Sequence, residues 1–163
     1  PLDECERIAR KANAATYTMG IGLTACSLPE TRRPSFHLGP NEVEIGIGIH
    51  GEPGVQRADM MRADDATDRI MDALIEDAEL RPGQRIGLIV NSLGGTPMME
   101  LAILNRRIRQ RLAVRDVHVV RSWVGHYCTS LDMLGVSVTL IVLDDDLEDL
   151  LLAPCDGFGF KIG

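Results

Sequence analysis

The sequence predicts an α/β fold, a sheet accompanied by few helices, and three observations predict it. Apolar residues at helical spacing recur in separate stretches, short runs rich in Val and Ile fall between them, and no linker is long enough to divide the chain. At 163 residues, 45% hydrophobic and 25% charged, one domain spanning residues 1–163 can bury an ordinary core without disulfides or metal. A net charge of −7 and a pI near 5.0 argue against nucleic acid and against an anionic membrane surface as partners.

The elements follow in order. Leu2, Cys5, Ile8, Ala9 and Ala12 keep helical spacing over residues 2–15, and residues 17–23 then read as a strand. Residues 28–40 hold three prolines and form a loop. From Val43 to Ile49 every odd position is Val or Ile, while the even positions from 42 to 50 are Glu, Gly or His, which predicts a half-buried strand. Asp64 or Asp65 is the expected cap of a helix whose stripe is Ile70, Met71, Leu74, Ile75 and Ala78, ended by Arg81-Pro82-Gly83. A strand over 85–91 follows. Gly94-Gly95 turns the chain, with Thr96 as the expected N-cap and Pro97 at the first position of a helix reaching about Arg111. Strands over 117–124 and 136–143 precede a short helix around 147–152, introduced by Asp144-Asp145-Asp146. There are no internal repeats.

The most informative residues are 42–54. Gly46, Gly48 and His50 fall on one face of the predicted strand, so missing side chains leave space running up to an imidazole, and Gly51-Glu52-Pro53-Gly54 then breaks the strand. A neutral imidazole nitrogen is a moderate nucleophile near pH 7 and can add to a ketone carbon. Glu52 reads as solvent-facing. His37, His118 and His126 read as structural residues in a loop, an alternating strand and a turn.

These residues resemble the signature of the substrate-binding subunit of dihydroxyacetone kinases. Ala9-Arg10-Lys11-Ala12-Asn13 with Met19-Gly20, Val90-Asn91-Ser92-Leu93-Gly94-Gly95-Thr96-Pro97, Thr129-Ser130-Leu131-Asp132-Met133 and Leu143-Asp144-Asp145 extend the resemblance, in order, over nearly the whole chain. It identifies the chain with the second, C-terminal domain of that subunit. His126 and Cys128 depart from the family's usual residues.

The resemblance implies a two-layer arrangement of α+β type, with helices on one face of a mixed, largely antiparallel sheet. It implies that His50 is the catalytic residue that binds a short ketose covalently as a hemiaminal. The terminal hydroxyl of that ketose is then phosphorylated, as in glycerol metabolism. A first, N-terminal domain, absent here, supplies further contacts and a catalytic Asp. No cofactor is expected on this domain: ATP or ADP and Mg belong to a nucleotide-binding partner domain or subunit, and a homodimer is expected. By itself the domain is expected to be inactive as a kinase. Two alternatives stay open, a ketose-binding sensor that phosphorylates nothing and a kinase for a four-carbon ketose such as erythrulose.

The remaining motifs have plainer readings. Gly94-Gly95-Thr96 invites a phosphate at a helix start, but the Lys and hydroxyl of a P-loop are missing, so a tight turn is the better reading. Asp144-Asp145-Asp146 reads as helix N-terminal charge rather than a cation site, and Arg106, Arg107, Arg109 and Arg111 read as a solvated helix face. Cys5, Cys26, Cys128 and Cys155 lack metal or redox spacing and are expected to be buried reduced thiols. No apolar run approaches the roughly 18 residues that span a bilayer, and a cytoplasmic location is expected. The chain opens on Pro1, as a processed product or an excised domain would.

Overall fold

The computed structural model describes residues 1–27, 29–30, 33–34, 36–49 and 52–162. His50, on which the sequence reading turns, lies outside the described residues.

Among the described residues four helices, α1 (Leu2–Ala14), α2 (Ala63–Asp77), α3 (Met98–Val114) and α4 (Asp145–Leu152), accompany eight strands. The strands are β1 (Thr16–Gly22), β2 (Glu42–Ile45), β3 (Gln56–Asp59), β4 (Arg85–Ser92), β5 (His118–Gly125), β6 (Gly135–Leu143), β7 (Cys155–Asp156) and β8 (Lys161–Ile162). Six of them form one sheet in the order β3-β2-β1-β6-β4-β5, and β7 with β8 makes a small hairpin. Among the described strands of this sheet β4 and β5 alone run parallel, joined by α3, and the other neighbouring pairs are antiparallel. The mixed, largely antiparallel sheet is therefore as expected.

Alternation along the strands divides the sheet into two faces. Ile21, Val43, Ile86, Leu88, Val90, Val138 and Leu140 point to the face that meets Ile70, Met71 and Leu74 of α2 and Leu101, Ile108 and Leu112 of α3, and together they make the core. The second face carries Thr16, Thr18 and Gly20 of β1, Ser137 and Thr139 of β6, and Gly87 and Asn91 of β4. Gly87 lies against α4: a Cβ there would stand 2.7 Å from a methyl of Leu151, which would have to shift.

Several expected details change. Asp64 and Asp65 sit inside the first turn of α2, whose N-cap is Arg62, so they act on the helix dipole rather than as caps. The N-cap of α3 is Pro97, not Thr96; the Thr96 hydroxyl donates instead to Gly135 O at 2.7 Å and ties the turn to β6. Asp144 does cap α4, accepting from Leu147 N at 3.0 Å. Among the described residues no disulfide joins the cysteines, and Cys26 is buried while Cys5, Cys128 and Cys155 fall on the exposed helix, loop and hairpin.

Arg106, Arg107 and Arg111 are not merely solvated. They pair with Asp64, Asp68 and Asp72, which project from α2 at four-residue spacing along the same seam, while Arg109 donates to Ser122 Oγ at 2.9 Å. No helix among the described residues is long and apolar enough to cross a membrane.

Candidate functional site

The alternation of residues 43–49 does not continue as strand. Pairing with β1 ends at Ile45, opposite Ile21, and Gly46 takes φ +79°, a left-handed conformation that a side chain disfavours. Its N–H still donates to Gly20 O at 2.7 Å. The turn carries Ile47 back over β1, so close that a Cβ on Gly20 would be 3.2 Å from Ile47 O and one on Gly22 would be 3.1 Å from its side chain. Ile47 is buried, as its place in the pattern predicts, but in a second apolar cluster with Cys26, Leu93 and Met133. The glycines of β1 are thus the bed on which the segment after β2 lies.

Beside that segment a cavity of about 700 Å³ opens on the second face of the sheet. Gly46, Gly48, Ile49 and Glu52 form one wall, and Thr18, Gly20, Ser137 and Thr139 form the floor. Gly48 is held by a bond from its N–H to Glu52 O at 3.3 Å, and a Cβ on it would come within 2.1 Å of Glu52 Oε2. Glu52 is exposed, as expected, yet it borders the cavity. A cavity thus lies beside Gly46 and Gly48, created by a turn rather than by one strand face, but the space a side chain would take at these two glycines is itself filled by Val55 and Glu52.

The floor is polar and its members hold one another. The hydroxyls of Thr18 and Thr139 share a hydrogen bond of 2.8 Å. Asn91, 2% exposed, uses its whole amide: Oδ1 accepts from Tyr127 N and Cys128 N at 2.8 and 2.9 Å, and Nδ2 donates to Cys128 O and Ser137 Oγ at 2.7 and 3.0 Å. That clamp sets the 126–128 loop and brings Cys128 to the cavity wall. Asn91 was legible only as part of the Gly-Gly-Thr motif. The hydroxyl floor comes from two strands about 120 residues apart in sequence, which no single-segment pattern exposes.

The neighbouring loops are pinned as well. Ser27 N donates to Asp132 Oδ1 at 2.8 Å, and this bond, more than any other contact, holds the Asp132 carboxyl below the usual carboxylate range. In the Gly-Gly-Thr turn, Gly94 N and Thr96 N donate to Ser92 Oγ, and Gly95 N donates to Met133 O. With those N–H groups committed, the loop is a tight turn and not a phosphate cradle. Gly94, at φ +143°, would place a Cβ 2.1 Å from Leu131 O. At the other end of the sheet, Lys11 pairs with Asp144 and Asp146, and Arg85 pairs with Asp145 and Glu148, so the acidic run serves ion pairs and the helix start. His118 is exposed beside Asp116 at the start of β5, far along the chain from the cavity wall.

Residues 1–158 match the Dak1 domain. The chain belongs to the Dak1 domain family. This Dak1 domain is 44% identical over 161 residues to the dihydroxyacetone-binding subunit DhaK of PTS-dependent dihydroxyacetone kinase 2 from Listeria innocua, covering 99% of the chain and 49% of that subunit. It is 40% identical over 166 residues to L-erythrulose 1-kinase from Mycolicibacterium smegmatis, covering 99% of the chain and 29% of that enzyme. Among solved structures it resembles the dihydroxyacetone kinase operon co-activator DhaQ, with a TM-score of 0.86, 31% identity and coverage of 93% of the chain and 47% of the co-activator. It also resembles the dihydroxyacetone kinase of C. freundii in complex with AMP-PNP and Mg2+, with a TM-score of 0.85, 30% identity and coverage of 99% and 29%. The Dak1 domain thus spans half or less of the length of these relatives.

Proposed function

We propose that this Dak1 domain is the ketose-capturing part of a dihydroxyacetone kinase, corresponding to the second domain of the substrate-binding subunit, with His50 as its covalent ligand for substrate. The observation that carries this is the cavity wall. Gly46, Gly48 and Ile49 border a cavity with a polar floor, and the next residue in the sequence is His50.

In the capture step a ring nitrogen donates its lone pair to the ketone carbon. The carbonyl π pair moves onto oxygen, which takes up a proton, and the other ring nitrogen loses its own, giving a neutral hemiaminal with no leaving group. A bond of this kind distinguishes a ketose from glycerol, which has similar hydroxyls and nothing for the ring to attack. The domain's contribution to phosphoryl transfer is to hold the terminal hydroxyl still. The catalytic Asp base and the nucleotide with its Mg2+ come from a companion domain or subunit, and phosphoryl transfer requires them. Assembly as a homodimer and a cytoplasmic location complete this reading.

Carbonyl-¹³C dihydroxyacetone, followed by NMR with wild type and His50→Ala, tests it in the chain alone and with the companion domain restored. The expected result is a tetrahedral carbon signal in wild type only. An equal adduct in His50→Ala, or none in wild type with the companion domain present, overturns it.

A second reading, a ketose sensor that transfers no phosphoryl group, is favoured by the likeness to the DhaQ co-activator. Adding a nucleotide-loaded kinase subunit separates the two, since transfer supports the kinase. A four-carbon ketose is favoured by the erythrulose kinase relative, and comparing kcat/KM for the two ketoses decides it.

A further inference from the structure

Glu44 occupies an outward position in the β2 alternation and yet is only 7% exposed. Its Oε1 accepts the backbone N–H of Gly54 at 2.8 Å, and Oε2 is buried without a hydrogen-bond partner, 3.4 Å from Arg57 Nε across the β2–β3 pair. The ion pair with Arg57, whose side chain is half exposed, offsets part of the cost of burying this carboxylate.

What it holds is the far end of the cavity segment. The chain leaves β2 at Gly46 and is back against it at Gly54 and Val55, where Val55 N donates to Ile45 O at 2.8 Å. Gly54 packs so tightly on the strand that a Cβ would lie 2.4 Å from Ile45 O and 2.7 Å from Glu44 Cγ. Two bonds, one backbone and one from Glu44, therefore pin the exit of the segment directly to the strand from which it departed. We infer that Glu44 is a positioning residue for ketose capture: through its bond to Gly54 it fastens the return of the chain whose Gly48, Ile49 and Glu52 border the cavity, and so holds that wall in place. This inference rests on the capture reading above, but the clamp itself can be judged without it.

Three variants of the full-length protein separate acceptor, charge and packing. Glu44→Gln keeps size and an acceptor for Gly54 N–H, Glu44→Met keeps size alone, and Glu44→Asp keeps the charge but withdraws it by one methylene. In Glu44→Met and Glu44→Asp, hydrogen exchange of segment 46–55 accelerates about tenfold and dihydroxyacetone binds about tenfold more weakly, while Glu44→Gln stays within about threefold of wild type on both readouts. Exchange in α2 and α3 is unchanged, which a general loss of stability would not produce. Wild-type exchange in Glu44→Met, or in Glu44→Asp should the Met variant not fold, overturns the clamp, as does a Glu44→Gln as weak as Glu44→Met. If exchange responds as stated but ketone affinity does not, the clamp stands and its role in positioning is overturned. If wild type forms no adduct at all, the capture reading fails and the exchange result still decides the clamp.

Discussion

Arg107 grips Asp68 with two nitrogens, Nε to Oδ1 at 2.8 Å and Nη2 to Oδ2 at 2.5 Å, and joins α3 to α2 beside the apolar contact of the two helices. Arg111 reaches the same carboxylate at 2.9 Å. Hydrogen bonding from Arg107, before any other influence, takes the Asp68 carboxyl down to about 2. A carboxyl depressed in the folded state stabilises the protein fully above its unfolded pKa near 4, and the contribution disappears as pH falls through the folded value. The side chain is 28% exposed, so solvent screening removes part of the effect. Asp68→Asn is expected to cost about 1–2 kcal/mol at pH 7, roughly 3–6 °C in Tm. The gap to wild type should close between about pH 4 and pH 2. Urea denaturation of both proteins across that range checks it, and a gap independent of pH would refute the assignment.

Gly54→Ala asks how closely the cavity segment is seated. The added methyl would meet Ile45 O at 2.4 Å, and backbone cannot give way as a flexible side chain can. The substitution is expected to destabilise by about 1–3 kcal/mol, as overpacking does. It should also loosen segment 46–55 in hydrogen exchange before it affects α2 or α3. A Tm equal to wild type would show that the segment is free to shift.

The main sheet was legible in the sequence wherever one face of an element is buried, since burial imposes the alternation of β1 and β6 and the stripe of α2. β3 was not, because Gln56-Arg57-Ala58-Asp59 is an exposed edge strand whose residues answer to pairing with β2 and not to a core. The strand expected to run through residue 49 stops at Ile45 because Gly46 can turn where another residue would continue, and nothing in the spacing of Ile47 distinguishes the two outcomes. Gly46 and Gly48 announced open space for a ligand. The polar residues around that space, buried Glu44 and Asn91 and half-buried Ser137, were hidden because each acts on backbone or side chains brought near only by the fold. The pairing of the α3 arginines was equally hidden, as it depends on how two helices are aligned.

Asn91→Leu should be among the more damaging single changes on the second face. It removes both acceptor and donors from a residue 2% exposed and leaves Tyr127 N, Cys128 N and Cys128 O to find other partners. About 2–4 kcal/mol is expected, given the cost of unpaired buried backbone groups. Asn91→Asp, which keeps the acceptor but buries a charge and sets a carboxylate oxygen against Cys128 O, should cost at least as much as Leu. Thermal unfolding of the two variants gives the order, and equal stability of Asn91→Leu and wild type would mean that water replaces the amide.

Cys128 offers a chemical test of where ligands bind, because its exposed residue lies on the cavity wall while Cys5 and Cys155 lie on α1 and the β7–β8 hairpin. Alkylation at Cys128 with a maleimide places a bulky group in the mouth of the cavity. Ketone binding is expected to fall about tenfold or more in the modified protein, as a blocked site should. A Cys128→Ser protein treated in the same way, still modified at Cys5 and Cys155, should bind as well as the untreated one. Excess dihydroxyacetone should slow modification of Cys128 and leave the rate at Cys5 alone. Should alkylated wild type bind ketone normally, the ligand does not occupy the cavity between Gly48 and Thr139, and the assignment of the site would have to move elsewhere on the sheet.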